Sequence, residues 1–289
     1  MNISNPFKMP NIYVSAIYLT TAIAFIGVLL LFLMLGIFAV PVFLQQGSGN
    51  PFTWLWEPGN EQFGIMPMLL GTLLLSFTSI LVAFPFALAI CSWLVAIGQG
   101  RFLKFVKSII YFMTAIPTVV YGFVAVFLLT PIIREAIGGS GMCWLSAALM
   151  LSILILPTMI LVMYTGIQSR MEQLCPHTLA LGFNKLDILW TFVLPQAKKT
   201  LLAATLLGLG RAMGDTLLPL MLAGNATQIP QHLSDSLRTL SAHMALVTAN
   251  EVGGGAYNSL FAAGFLLLLI NAALSICSRR FGLSKKIKE

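Results

Sequence analysis

The sequence predicts an all-α polytopic integral membrane protein with about six transmembrane helices. Two observations carry that reading. Hydrophobic residues make up 58% of the 289-residue chain and charged residues only 9%, where soluble domains run near a quarter charged, and the mean hydropathy is +0.92. The few charges also fall at intervals that leave apolar runs of at least about 20 residues, the length that crosses roughly 30 Å of hydrocarbon.

The runs follow in order. The first covers 17–44, between Lys8 and Glu57; it is too long for the apolar part of a signal peptide and has no convincing cleavage site, so it reads as a retained span. The second covers 65–97, between Glu61 and Arg101, and the third 108–130, between Lys107 and Arg134. The fourth, fifth and sixth run over about 142–167, 200–224 and 256–277. Pro85, Pro117 with Gly122, Pro157 and Pro219 lie inside these runs; in lipid such residues are tolerated where neighbouring helices or a cavity satisfy the freed backbone groups.

The net charge of +7 is distributed by side rather than by patch. Thirteen of the 16 basic residues fall in the N-terminal tail (Lys8), the segments after spans two and four, and the C-terminal tail "RRFGLSKKIKE"; Arg134 and Arg238 fall on the other side and Arg211 lies within a span. This asymmetry is the positive-inside pattern and predicts cytoplasmic N- and C-termini. The basic residues are then topology anchors, and no nucleic-acid partner is expected. Cys91, Cys143, Cys175 and Cys277 have neither zinc-site spacing nor the density of a disulfide scaffold, and read as ordinary apolar residues.

Three external segments are expected, at 45–64, 131–141 and 225–255. In the last, "QHLSDSLRTLSAHMAL" puts Leu233, Leu237, Leu240 and Met244 at helical spacing, which predicts a helix lying along the membrane surface. Its His232 and His243 lack the carboxylate or cysteine company of a metal site. The cytoplasmic segment 168–199 contains "HTLALGFNKLDILWTFVLP", which reads as two short helices under the membrane. The first stops at Gly182, and Asn184 caps the second, with Asp187 in its first turn and Pro195 ending it. Trp190, Phe192 and Leu194 supply apolar surface to bury.

Arg211 lies about 18 Å into the fifth span if that span begins after Lys199, near the middle of the hydrocarbon. Insertion scales charge about 2.5–3.5 kcal/mol for such a residue, which normally faces a cavity or a partner. Asp215, four residues on, shares its helical face. Two readings stay open: an ion pair that only neutralises both groups, or an arginine that lines a pathway and meets an anion, with Asp215 as the competitor that releases it. The planar guanidinium fork matches phosphate geometry, and Gly208, Gly210 and Gly214 would permit close helix approach.

"PHTLALGFNKLDILWTFVLP" resembles the cytoplasmic signature of ABC importer permeases of the binding-protein-dependent type. Gly182 is followed by nine residues, then Phe192, Val193 and Leu194-Pro195, in that spacing; Pro176, His177 and Thr178 stand where the family has Glu-Ala-Ala. "GTLLLSF", "AIPTVVYGF", "GRAMGDT" and "LAGNATQIP" are similar, in order, to the phosphate-specific (Pst-type) branch, which usually has Glu where this chain has Asp215.

The resemblance implies a type I permease fold: 1–65 as tail, first helix and external loop, 66–280 as a core with five helices, and 281–289 as a basic cytoplasmic tail. It implies a non-enzymatic transport subunit in a bacterial inner membrane, importing inorganic phosphate. Arg211, Asp215, Thr216, Thr118 and Tyr121 would line the substrate pathway. Pro176, His177, Thr178, Gly182, Asn184, Leu194 and Pro195 would form the ATPase-coupling segment. The partners implied are a second permease subunit, a cytoplasmic ATP-binding subunit and an extracytoplasmic phosphate-binding protein. The chain has no phosphate-binding loop of the G-x-x-x-x-G-K-[ST] type, so no cofactor is expected in it; ATP and Mg would sit on the partner ATPase. Sulfate, molybdate or another oxyanion remains an alternative substrate, and an ion-coupled secondary transporter an alternative class, although the chain has no self-similar halves.

Overall fold

The computed structural model describes residues 11–44, 50–250 and 253–282. The N-terminal tail with Lys8, part of the first external segment and all but the first two residues of the basic tail lie outside them.

Twelve α-helices and one small hairpin make up the described chain. Five stretches are long and apolar enough to cross a membrane: Val14–Phe43, Met66–Ala96, Thr118–Ile137, Trp144–Leu179 and Gly254–Arg280. They belong to α1 (Asn11–Phe43), α2 (Met66–Ala96), α4 with α5 (Thr118–Val124 and Thr130–Ile137, joined by a π-helical stretch Ala125–Leu129), α6 (Trp144–Leu179) and α12 (Gly254–Gly282). The protein is an all-α polytopic membrane protein.

The remaining predicted span is in two pieces, α9 (Lys198–Gly214) and α10 (Leu217–Leu222), with an extended residue, Asp215, between them. The third span begins later than the apolar run. Residues Gly100–Ala115 form a separate helix, α3, that ends at Ile116, because the residue before a proline is driven out of the α region. Pro117 then starts the span, which carries Arg134 into its last turn where an external loop was expected.

The helix α6 is the central post, packing against α2, α9, α3, α4 and α10. Leu151, Leu154, Ile155, Met159, Ile160, Met163 and Ile167 are all fully buried along it. Small residues let neighbours approach: a Cβ at Gly208 of α9 would come within 3.0 Å of Met159. The helix α1 is the opposite case, exposing Ile17, Tyr18, Phe25 and Leu30 among others and touching mainly α12. In lipid such a surface is the ordinary exterior of a span.

In the first segment expected to be external, β1 (Trp56–Glu57) pairs antiparallel with β2 (Gln62–Phe63). Trp56 lies edge-on to His243 at 4.2 Å between ring centroids. His243 belongs to α11 (Leu240–Asn250), which is what remains of the predicted surface helix. Residues 231–239 are not helical, because their backbone is spent elsewhere: Leu237 donates to Ala223 O at 2.8 Å, and Leu145 and Trp144 donate to Leu233 O and Asp235 O. Leu237 and Leu240 are therefore buried in the bundle rather than laid on its surface.

Candidate functional site

Arg211 lies in the last turn of α9, about 20 Å along the helix from Lys198 at 1.5 Å per residue. That placement offsets part of the cost of a mid-bundle charge, since the last carbonyls of a helix are unpaired and favour a cation. Its Nη1 donates to the Thr158 hydroxyl of α6.

Asp215 is placed otherwise than its spacing suggests. Its Oδ2 accepts the Leu218 N–H at 2.9 Å, three residues ahead, which is the bond an N-capping carboxylate makes to the first turn of a helix. With φ −76° and ψ 130°, Asp215 has left α9 and stands just ahead of Thr216 and α10. Its carbonyl accepts the Ser241 hydroxyl at 2.9 Å, tying the break to α11. Arg211 and Asp215 therefore do not share a helical face, and among the described residues no carboxylate lies within 4.0 Å of Arg211. Asp215 and Tyr121 both remain within electrostatic range of it. Tyr121 is buried and donates to Met113 O at 2.9 Å; Thr118 opens α4 and Thr216 follows the break. Gly208 provides the expected close approach, whereas a Cβ at Gly214 would meet nothing within 4 Å. Gly214 marks the end of the helix instead.

Arg211 faces a cavity of about 330 Å3 between α6, α9 and α12. Its polar lining is Thr158, Arg211, Asn271, Ser275 and Ser278. Asn271, Ser275 and Ser278 follow one another at spacings of four and three, one face of α12. The signal for them was an amide and two hydroxyls in an apolar run, which composition alone does not distinguish from ordinary packing.

The segment 168–199 differs in part from its expected form. The first helix is not separate: α6 continues unbroken to Leu179 through Pro176. Gly182, at φ +87°, then makes the turn. Asn184 takes the N-cap backbone conformation without a side-chain cap bond, and α7 (Lys185–Asp187) follows. A π-helical stretch, Ile188–Val193, leads into α8 (Leu194–Gln196), so Pro195 does not end the helix. The widened turn ahead of it, with Leu194 N bonded five residues back to Leu189 O, accommodates the proline. Ile188, Leu189, Val193 and Leu194 are the buried face. Trp190 is exposed, contrary to expectation, together with Leu181, Phe183 and Leu186; Phe192 is half-buried against Phe183. Pro176 and His177 are exposed and Thr178 is buried.

Residues 89–283 match the family model for the binding-protein-dependent transport system inner membrane component. The chain belongs to that family. Among curated proteins, the permease is 27% identical over 263 residues to the probable ABC transporter permease protein YqgH of Bacillus subtilis, covering 88% of this chain and 85% of that one. It is also 27% identical to two phosphate transport system permease proteins PstC. The Xylella fastidiosa protein aligns over 96% of this chain and 92% of its own length, and the Pasteurella multocida protein over 80% and 79%. The permease is thus a transport subunit, multi-pass in the membrane. The turn at Gly182 and the helical segment that follows stand apart from the groove onto which Arg211 opens.

Proposed function

We propose that this permease is the membrane subunit of an ATP-driven importer of inorganic phosphate. The observation that carries the reading is Arg211: a half-buried guanidinium among apolar helices, bonded to a neutral hydroxyl and bordering a largely apolar cavity that Thr158, Asn271, Ser275 and Ser278 also touch. Such a charge is costly unless it handles a charged partner, and its planar fork suits a tetrahedral oxyanion. The PstC relatives are named for phosphate transport, which supports phosphate among the oxyanions. Asp215 and Thr216 would hold the helix break beside the pathway, and Thr118 and Tyr121 would belong to the pathway beyond the cavity that Arg211 faces.

The exposed apolar side chains around Gly182 support docking of a cytoplasmic ATP-binding subunit on 168–199, with Pro176, His177, Asn184 and Pro195 at or near that surface. ATP and Mg belong to that subunit. A second permease chain and an extracytoplasmic phosphate-binding protein complete the complex. The core is 66–280, 1–65 comprises the N-terminal tail, first transmembrane helix and external loop, and 281–289 is a basic cytoplasmic tail. Both termini are cytoplasmic in a bacterial inner membrane, a reading that the uneven distribution of basic residues supports.

The test is reconstitution with the neighbouring subunits in liposomes and measurement of labelled phosphate and sulfate uptake. ATP-dependent phosphate accumulation with little sulfate uptake is expected. Preferred sulfate or molybdate uptake would move the assignment to that oxyanion, and uptake driven by an ion gradient without ATP would end the importer reading.

A further inference from the structure

The groove that receives Arg211 has a wall on α12. Asn271 lines it, and its two amide ends are differently committed. Nδ2 donates to the Leu267 carbonyl at 3.1 Å, one turn back. Oδ1 points at α9, where a Cβ on Gly210 would lie 3.6 Å from it. The bond to Leu267 settles which end of the amide faces the groove: a carbonyl oxygen, which accepts and cannot donate.

The other polar groups have different capacities. Arg211 presents only donors. Thr158 accepts from Arg211, which turns its own hydroxyl hydrogen elsewhere. Ser278 donates to Ala203 O at 3.1 Å. A guanidinium with hydroxyls would hold any tetrahedral anion, because hydroxyls rotate to suit the ligand. A fixed carbonyl does not. It attracts an oxygen that carries hydrogen and repels one that carries only lone pairs.

Phosphate at neutral pH keeps at least one O–H; sulfate keeps none. We propose that Asn271 is a specificity-determining residue, its Oδ1 accepting the hydrogen of a protonated oxyanion held by Arg211. This deepens the assignment of Arg211 as the anion-handling charge and rests on it. Selectivity here takes the form of an unpaired acceptor presented to the wrong anion.

The test uses the full complex of permease pair and ATPase in lipid nanodiscs, without the binding protein, so that only the membrane site discriminates. An arginine-selective dicarbonyl reagent modifies Arg211, and its rate is read by mass spectrometry of the Arg211 peptide against rising phosphate or sulfate. In the wild type, phosphate should protect at about a tenfold lower concentration than sulfate, the size of one hydrogen bond. Asn271→Leu should bring the two concentrations together by weakening protection by phosphate. Asn271→Ser, whose hydroxyl accepts or donates, should bring them together by improving protection by sulfate, and covers the case in which the leucine variant does not assemble. A wild-type ratio retained in either assembled variant overturns the role of Asn271 while leaving Arg211 in place. Absence of protection by both anions in the wild type would instead overturn the reading of Arg211 on which the inference rests.

Discussion

Arg211 and Arg238 are both arginines without a carboxylate partner in the described structure, and they differ in what surrounds them. Arg238 is built into the external corner: its Nε donates to Asn225 O at 2.8 Å, and its own carbonyl oxygen lies where a Cβ on Gly71 would have to go. Its neighbours Leu237, Thr239 and Leu240 are buried. Burial pulls its pKa below the ordinary arginine value. Arg211 makes one bond to a hydroxyl and borders a largely apolar groove that Thr158, Asn271, Ser275 and Ser278 also touch. One guanidinium is consumed in holding the backbone, and the other keeps donors for a ligand. An intramembrane or buried arginine is therefore not functional by position alone; what it leaves unspent decides.

The comparison breaks most readily at Gly71. A side chain there collides with the Arg238 backbone rather than with a flexible tip, so Gly71→Val should displace the external corner from α2. The expected cost is about 3 kcal/mol, at the upper end for overpacking, read as loss of purified monodisperse protein or a large drop in melting temperature. An unchanged melting temperature would mean that the corner is loosely held.

His243 sharpens the same corner. It is fully buried, with neither ring nitrogen hydrogen-bonded. Burial, helped by the charge of Arg238, pushes its pKa down to about 3, against about 6.5 in an unfolded chain. The unfolded state binds the proton more readily, so stability from this group is complete above about pH 6.5 and is lost as pH falls toward 3. Between pH 6.5 and pH 5 the loss is about 2 kcal/mol. The melting temperature of the wild type should fall over that range, and that of His243→Phe should fall less. Equal pH dependence in the two would remove His243 as the cause.

The smallest effect concerns Asp215. As a cap for α10, Asp215→Asn keeps a side-chain acceptor and should be nearly neutral, whereas Asp215→Ala should cost about 1 kcal/mol. A counter-charge to Arg211 would instead make the two changes equally damaging. Thermal melting of the pair of variants decides between them.

The helical bundle was legible because charge spacing and run length answer to one constraint, the thickness of the hydrocarbon. All six apolar runs became helical segments. The break at Asp215 was not legible, because an aspartate four residues after an arginine is compatible with a continuous helix and an ion pair as well as with a helix end and a cap. Only the bond from Leu218 distinguishes them. The helical spacing from Leu233 to Met244 misled for a related reason: Leu237 is buried through a backbone pairing with Ala223, which no side-chain period reports. Arg211 itself stood out as a charge in an apolar run, while the uncharged Asn271 became visible only once the fold set it across from Gly210.

The most direct measurement of the central claim is phosphate uptake by Arg211→Ala in the reconstituted complex. Because Asp215 is a cap and not an ion-pair partner, this change strands no buried acid, and the complex should assemble with melting behaviour close to the wild type. Phosphate uptake should nevertheless be abolished. ATP-coupled uptake at the wild-type rate in an assembled Arg211→Ala complex would contradict the account.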